Sequence, residues 1–598
     1  MIKELSELGK SLRSGKDDSA WVHDALKEER ISMELIIGQD GAFHQLLPIE
    51  VKMTPAEALT AKKGKARLLL DKPEEVLCFG GKTSIKKHKL FMDKVLQYKQ
   101  LPELASVLAF YSNSSFGFGK ALEHYETMTA TTDKKLKKQL MGNIGFRVLG
   151  EAVRVHEKTG VLNAVIDKYE TAQREKLANT SIKCSVCGTN DYSVEDFPHG
   201  MVKKVPDGQP SGCALVSYNE NAFESYELKG NNNSSICTNC AKTYVEGLDW
   251  LLSDGGEILV ADKKGRAKPR FRYSHRRNFG SDTAIVFWTR SNQALDEIDQ
   301  LEAPTDGDVA RMIESMSSGK EKDSRYLEPD LFYSCTLSGS AARIVVRDWI
   351  ETSLGEFRSS IALWFRDIAI VRFDSELKKT VTHYASLYAL ARSCQRKNSD
   401  GNYDKDDTAT ARVASNLWKA ALQNTSLPLW ILAKVLQRAR MDKQGVTTER
   451  AALINLVLNR LHRNKKGGEF IIMENKIQED RPIAYLCGQI FAKLESIQYA
   501  ALGDRNAGIR EKYFTYAMTV PAAAFGRLFN LNSKHITKIK SEKPGLAVTL
   551  DKELQELCGN IDIHGFPQRF LLEEQGQFAI GYYHQRQEQF SKIKTKIQ

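Results

Sequence analysis

The sequence predicts an α+β protein: a strand-rich, mixed N-terminal lobe with a zinc-stapled insertion, then helical segments and a C-terminal helical bundle. Three observations predict it. Apolar runs of strand length, bounded by turn signals, recur between Ile31 and Leu337. Helical spacing dominates the second half. Two Cys-x-x-Cys knuckles, Cys184-Ser-Val-Cys187 and Cys237-Thr-Asn-Cys240, bracket 49 residues. The expected divisions are 1–340 for the mixed lobe, with the insertion at 181–245, then 341–463 for a helical middle region and 473–598 for the bundle.

At 598 residues the chain has room for roughly two to four domains. Lys plus Arg outnumber Asp plus Glu by 86 to 75, and the excess is clustered, which favours a polyanionic partner. Ten cysteines in a chain of this length are too few for a disulfide scaffold and suit a reducing cytoplasm. The N-terminal MIKELSELGKSLRSGKDD has no signal-peptide core. No apolar run approaches the ~20 residues that span a bilayer, so no membrane partner is expected.

In chain order, Ile2 to Leu12 reads as a short helix and Ile31 to Gly38 as a strand. Gln39-Asp-Gly-Ala42 is a turn signal, after which Phe43 to Leu47 returns as a hairpin partner. A basic loop, Ala61-Lys-Lys-Gly-Lys-Ala-Arg67, places Lys62, Lys63, Lys65 and Arg67 around Gly64. Gly64 lets the backbone approach a ligand closely, and the cations suit phosphate or a solvated hairpin tip equally. Gly80-Gly-Lys-Thr-Ser84 and Phe116-Gly-Phe-Gly-Lys120 lack the first glycine of a phosphate-binding loop, having Val76 and Ser114 there. Lys82 to Glu175 is mostly helical, and Thr132 to Lys138 is a charged, solvated helix face.

Two Cys-x-x-Cys turns supply the four soft ligands of a tetrahedral zinc, so Cys184, Cys187, Cys237 and Cys240 are the expected metal ligands. Four thiolates leave no open position, and the metal is expected to be structural. A helix from Thr243 to Leu252 leads away from the second knuckle.

The densest basic stretch is Lys263 to Arg277, with eight cations, no acid, and Phe271 and Tyr273 interleaved. Cations neutralise phosphates while planar side chains stack on bases, so Lys268, Arg270, Arg272, Arg276 and Arg277 are candidate backbone contacts. A solubilising loop is the bland alternative. Phe279 to Trp288 is a buried strand, and Ser291 to Met316 is expected as an acidic surface connection. Phe332 to Arg347 reads as a strand, a Ser-rich cap and a helix start, with helix from Val346 to Phe365. Arg343 and Arg347 on its face would hold phosphate or pair with nearby acids.

Asp400 to Asp407 fails as a calcium loop, with Lys405 where glycine is needed. Leu429 to Leu461 is largely helical, and Asn464 to Glu469 reads as a linker before the bundle. Arg505, Asn506, Arg510 and Lys512 are candidates for contact with a displaced strand. The last helical segment is expected over His564 to Gln587. There Gly576 and Gly581 suggest close helix packing, and His584, lacking a nucleophile partner, reads as structural.

Several segments resemble one family in chain order: SGCALVSYNENAFESYE (211–227), Leu69/Asp71/Val76/Leu77, Gly280/Asp282/Thr283 with Phe287-Trp288, and Arg450-Ala-Ala-Leu-Ile454. The most specific is AIGYYHQRQ (579–587), preceded by Phe566-Pro567 and Leu571 to Phe578. The chain resembles the large subunit of the type I-C CRISPR surveillance complex, Cascade. The zinc reading rests on the spacing, since the family pattern carries the paired knuckles reduced or absent.

The resemblance implies a non-enzymatic subunit that reads the protospacer-adjacent motif, helps open the duplex, steadies the displaced strand and helps recruit a helicase-nuclease. It implies CRISPR RNA, target double-stranded DNA, and Cascade backbone and RNA-processing subunits as partners. RNA pairing would then carry the sequence specificity. Lys62, Lys63, Gly64, Lys65, Arg67, Asn219 and Asn221 are the expected motif and duplex contacts. The family also implies a small subunit from an internal start, for which Met473 is the candidate. The alternatives are a zinc-containing, metal-dependent nuclease acting on DNA, and a zinc-stapled scaffold without DNA contact.

Overall fold

In the computed structural model the described residues are 1–14, 23, 25–58, 66–177, 183–189, 199–261, 265–318, 330–396, 408–466, 481–503, 508–561 and 565–595. They fall into two units, one of residues 1–200 and 216–248, the other of 201–215 and 249–598. Lys62, Lys63, Gly64, Lys65, Lys263, Lys264, the 400–407 segment, Met473, Arg505, Asn506 and His564 lie outside the described residues.

The first unit is built on β1 (Leu26–Ile37), whose run Ile31 to Ile37 is buried throughout. Burial on both faces explains why five of its seven residues are apolar, Ser32 and Glu34 being the exceptions. It pairs antiparallel with β2 (Phe43–Glu57). The short β3 (Leu70–Asp71) closes an edge, and β4 (Ile144–Val148) runs parallel to β1, giving the order β2-β1-β4-β3. Glu34 on β1 is buried and is paired by Arg147 (3.0 Å) and Arg154 (2.6 Å). The helices are α1 (Ile2–Ser14), α2 (Pro73–Val76), α3 (Lys82–Leu96), α4 (Ala105–Ser112), α5 (Gly119–Thr129), α6 (Lys134–Leu140) and α7 (Thr159–Leu177). Met33, Leu35 and Ile37 share the core with Phe91, Val95, Phe110 and Phe146.

Helix α8 (Thr238–Ser253) starts in the first unit and ends in the second. The second unit opens with a two-stranded ribbon, β5 (Gly255–Ala261) and β6 (Ala267–Tyr273). A four-stranded antiparallel sheet of order β10-β9-β8-β7 follows, from β7 (Arg276–Phe279), β8 (Thr283–Thr289), β9 (Leu331–Ser340) and β10 (Arg343–Ser353). The expected helix from Val346 is therefore strand as far as Ser353. The β-branched run Ile344 to Val346 favours strand, and the segment pairs with β9 across Ala341-Ala342, with a register shift between Val346 and Asp348. Helix α11 (Leu354–Ile368) begins where Ser353 caps it, its side chain accepting from Glu356 N. The expected surface connection at 291–316 contains α9 (Asp296–Glu302) and α10 (Asp306–Ser318). Ile298/Leu301 and Val309/Met312 recur at i, i+3 and enter the core, a pattern masked by the acidic residues around them.

Beyond β11 (Ile370–Asp374) and β12 (Lys379–His383) the unit is helical. It comprises α12 (Leu387–Ser393), α13 (Thr408–Gln423), α14 (Leu429–Met441), α15 (Thr448–Lys466), α16 (Ile483–Leu502), α17 (Ile509–Thr519), α18 (Pro521–Glu542), α19 (Pro544–Cys558) and α20 (Leu572–Thr595). Helices α16 and α20 cross with their backbones in contact. A Cβ at Gly581 would sit 2.0 Å from Tyr485 O, and one at Gly488 would sit 2.0 Å from Phe578 O. Close packing at Gly581 is thus as expected. His584 is buried with Nδ1 2.8 Å from Tyr485 Oη, a structural histidine. Helix α20 also packs on α14, α15 and β11, so the C-terminal helices share one core with the middle region. Among the described residues, no helix is long and apolar enough to cross a membrane.

Candidate metal centre and nucleic-acid interface

The two knuckles converge. The Sγ atoms of Cys184, Cys187, Cys237 and Cys240 all lie within 4.8 Å of one another. Those of Cys187 and Cys237 are 3.8 Å apart, and a tetrahedron with bonds of about 2.3 Å has edges of about 3.8 Å. The first knuckle is a turn closed by Gly188 at φ +70°, whose N–H donates to Cys184 O at 2.9 Å. The second enters the first turn of α8, which aims Cys237 N–H at Cys184 Sγ (3.3 Å) and Cys240 N–H at Cys237 Sγ (3.4 Å). Such donors stabilise sulfur as thiolate. Cys237 and Cys240 share a hydrogen bond that draws the Cys240 thiol down to about 5 and pushes the Cys237 thiol up, the former helped by Ser6, Cys187 and the Lys10 charge against the opposing effect of burial. None of the ten cysteines is in a disulfide. The donor set fits zinc, which all four cysteines would hold with no position left open. Among the described residues it is the one grouping of His, Cys, Asp or Glu with metal-holding geometry.

Helix α1 walls this centre. A Cβ at Gly9 would fall 2.0 Å from Thr243 O, and one at Gly247 would fall 2.6 Å from Leu5 O, so α1 and α8 meet backbone to backbone. Ser6 Oγ lies 2.8 Å from Thr243 Oγ1, Arg13 grips Glu246 through two bonds of 2.7 and 2.8 Å, and Lys10 Nζ stands 3.8 Å from Cys240 Sγ. Four thiolates around a dication carry a net charge of minus two, which a neighbouring ammonium offsets. Lys10 escaped the sequence reading because it is 230 residues from Cys240 and no local pattern marks it.

The basic stretch divides by register and burial. Lys268, Arg270 and Arg272 alternate along β6, opposite Val260, Ile258 and Gly256, so all three share one face of the ribbon and all are exposed. Arg272 also pairs with Asp299 at 2.7 Å. The opposite face carries Leu259, Phe271 and Tyr273, the two rings 4.8 Å apart. Leu259 is 75% exposed. Arg276, by contrast, is buried, donating to Lys204 O (2.9 Å) and Leu252 O (3.2 Å) and lying 4.7 Å from the Tyr273 ring centroid. Arg277 is held by Asp299 (3.0 Å) and Glu302 (2.6 Å). These two guanidiniums serve the fold, and the exposed candidates of the stretch are those of the ribbon.

The remaining candidates are dispersed. Arg67 follows the basic loop and is tied back by Glu29 (2.9 Å), while its backbone N–H donates to Asp71 (3.0 Å). Asn219 and Asn221 stand on an exposed tip with Glu220, Glu224 and Glu227, and Asn219 Oδ1 accepts from Ser217. Arg510 donates to Lys443 O (2.7 Å) and Asp442 O (3.1 Å), closing the turn between α14 and α15. Lys512 is exposed on α17. Arg347 pairs with Asp282 at 3.3 Å, the second of the two roles open to it.

A family model described as CRISPR-associated protein (Cas_Csd1) matches residues 6–590. No curated protein matches the chain.

Proposed function

Because the chain belongs to the Cas_Csd1 family of CRISPR-associated proteins, the large subunits of type I-C Cascade, we propose that it is the subunit that holds target DNA for RNA-guided recognition. In this reading it is non-catalytic and works in the cytoplasm beside CRISPR RNA, the backbone and RNA-processing subunits, and a helicase-nuclease. It reads the protospacer-adjacent motif, assists duplex opening and steadies the displaced strand. The supporting observation is the β5–β6 ribbon, which sets three cations in one row on an exposed two-stranded element. Such ribbons enter duplex grooves, and cations in a row neutralise successive phosphates.

The Asn219–Asn221 tip suits base edges better than phosphates, since three glutamates accompany its amides. Lys62, Lys63, Lys65 and Arg67 around Gly64 are the other proposed contacts with the motif and duplex. Arg505, Asn506 and Lys512 are proposed for the displaced strand, with Arg510 holding the adjoining turn. Zinc would clamp the two ends of the insertion that carries the tip. Met473 is the proposed start of a small subunit made of the C-terminal helices. Duplex binding by Cascade carrying the Lys65→Ala chain tests the loop assignment: weaker binding to every sequence supports it, and unchanged affinity contradicts it.

A further inference from the structure

We propose that the first unit carries a second polynucleotide surface, formed by the outer stripe of α3 and an aromatic platform at Phe116, and that it takes a single strand. Its basis is separate from the ribbon. The segment Phe116 to Lys120 was set aside above as a failed phosphate loop, yet the turn it belongs to has a specific conformation. Ser114–Phe118 forms one π-helical turn, a rare conformation that recurs at functional sites. Asn113 fastens it by accepting from Phe116 N at 2.9 Å through its side chain and from Gly117 N at 2.9 Å through its carbonyl. Gly117 is pressed against the chain: a Cβ there would lie 2.5 Å from Phe110 O and 2.9 Å from Gly41 O.

The turn sorts its two phenylalanines. Phe118 points inward, 5.3 Å from His88 and 5.7 Å from Tyr111 by ring centroid. Phe116 points outward and is 61% exposed, with Lys120 Nζ 5.0 Å from its ring centroid. A fold that fixes an exposed ring on a locked turn leaves its burial energy for a ligand.

His88 joins α3 to this turn. The helix carries five lysines and one acid. Lys87 is held by Glu74 and Glu75, and Lys94 by Glu57. Among the described residues, Lys82, Lys86 and Lys89 are exposed and make no ion pair. Lys82, Ile85 and Lys89 fall on one stripe at i, i+3 and i+7, and Ile85 is 65% exposed. The stripe is about 10 Å long, enough for consecutive phosphates of a strand. An aromatic platform beside a cationic track is how proteins hold single strands without reading sequence. A duplex could use the ring only at the cost of unstacking a base step, because its base faces are already stacked.

The test uses the full chain with fluorescein-labelled oligo(dT), oligo(U) and a DNA duplex, read by anisotropy across a salt series. Phe116→Ala is expected to weaken binding of either single strand by about 5- to 100-fold, with duplex affinity and melting temperature unchanged. Phe116→Trp should restore binding, with indole fluorescence quenched by the strand. Lys82→Ala with Lys89→Ala should flatten the single-strand salt slope by about 1.4. Loss on oligo(dT), oligo(U) or both supports the surface. Unchanged affinity for both strands in Phe116→Ala, or an equal loss on the duplex, overturns it. Ribbon variants should weaken the duplex arm most and leave the Phe116→Ala effect on single strands unchanged, so failure of the ribbon reading and failure of this one are separately visible.

Discussion

Paired substitution of the ribbon cations separates surface charge from structural charge in a single stretch of sequence. Lys268 and Arg270 lie on the exposed face of β6. Each phosphate contact contributes about 0.9 to the slope of log affinity against log salt for duplex DNA. Lys268→Ala with Arg270→Ala should therefore flatten the slope by about 1.8. Between about 50 and 200 mM salt the native protein should lose roughly tenfold more affinity than the variant. Arg272→Ala should add less than a full increment, because Asp299 already holds that guanidinium at 2.7 Å. The control is Arg276→Ala, three residues beyond β6. Its guanidinium satisfies two backbone carbonyls, and leaving these unpaired costs about 2–4 kcal/mol. Its melting temperature should fall while the slope holds. Anisotropy titrations and thermal melts measure both. An unchanged slope in the double variant, or a changed slope in folded Arg276→Ala, would refute the reasoning.

Other outcomes follow from the same contacts. Chelation, or Cys237→Ser, should release about one zinc per chain and expose α1 to protease, since the clamp contributes on the order of 10 kcal/mol; retained metal or an intact N-terminus would contradict the site. Asp367 is fully buried beside Arg460 (3.1 Å), itself 1% exposed, and Arg463 (2.5 Å). Asp367→Ala should destabilise the second unit by about 3–5 kcal/mol in urea melts, because it leaves a buried guanidinium uncompensated; a loss under about 1 kcal/mol would count against this. His156 is buried and held to about 4, chiefly by desolvation. A histidine kept neutral in the fold binds its proton more readily when unfolded. Stability should therefore be full above about pH 6.5 and fall on acidification towards pH 4 by on the order of 3 kcal/mol. His156→Gln should remove that part of the acid sensitivity, and an unaltered pH profile would contradict it.

The metal centre was legible in the sequence because i, i+3 cysteines announce their own convergence, and all four meet. Lys10 was not, since only the α1–α8 crossing brings it there. Gly581 could be read as a packing glycine from its place in an apolar helix, whereas its contact with Tyr485 O needed the fold. At Arg343 to Ile350 a cap-like serine pattern competed with the β-branched run Ile344 to Val346, and pairing with β9 decided for strand. The acidic residues of α9 and α10 hid a sparse apolar stripe. Charge composition located the ribbon, but only register and burial distinguish Lys268 and Arg270 from Arg276 and Arg277.

The most direct test is the affinity of assembled Cascade for its matching duplex with the native chain, with the Lys268→Ala/Arg270→Ala chain, and with the chain omitted. The account predicts tight, steeply salt-dependent binding for the first, a flatter and weaker response for the second, and little capture for the third. Equal capture in all three would contradict it.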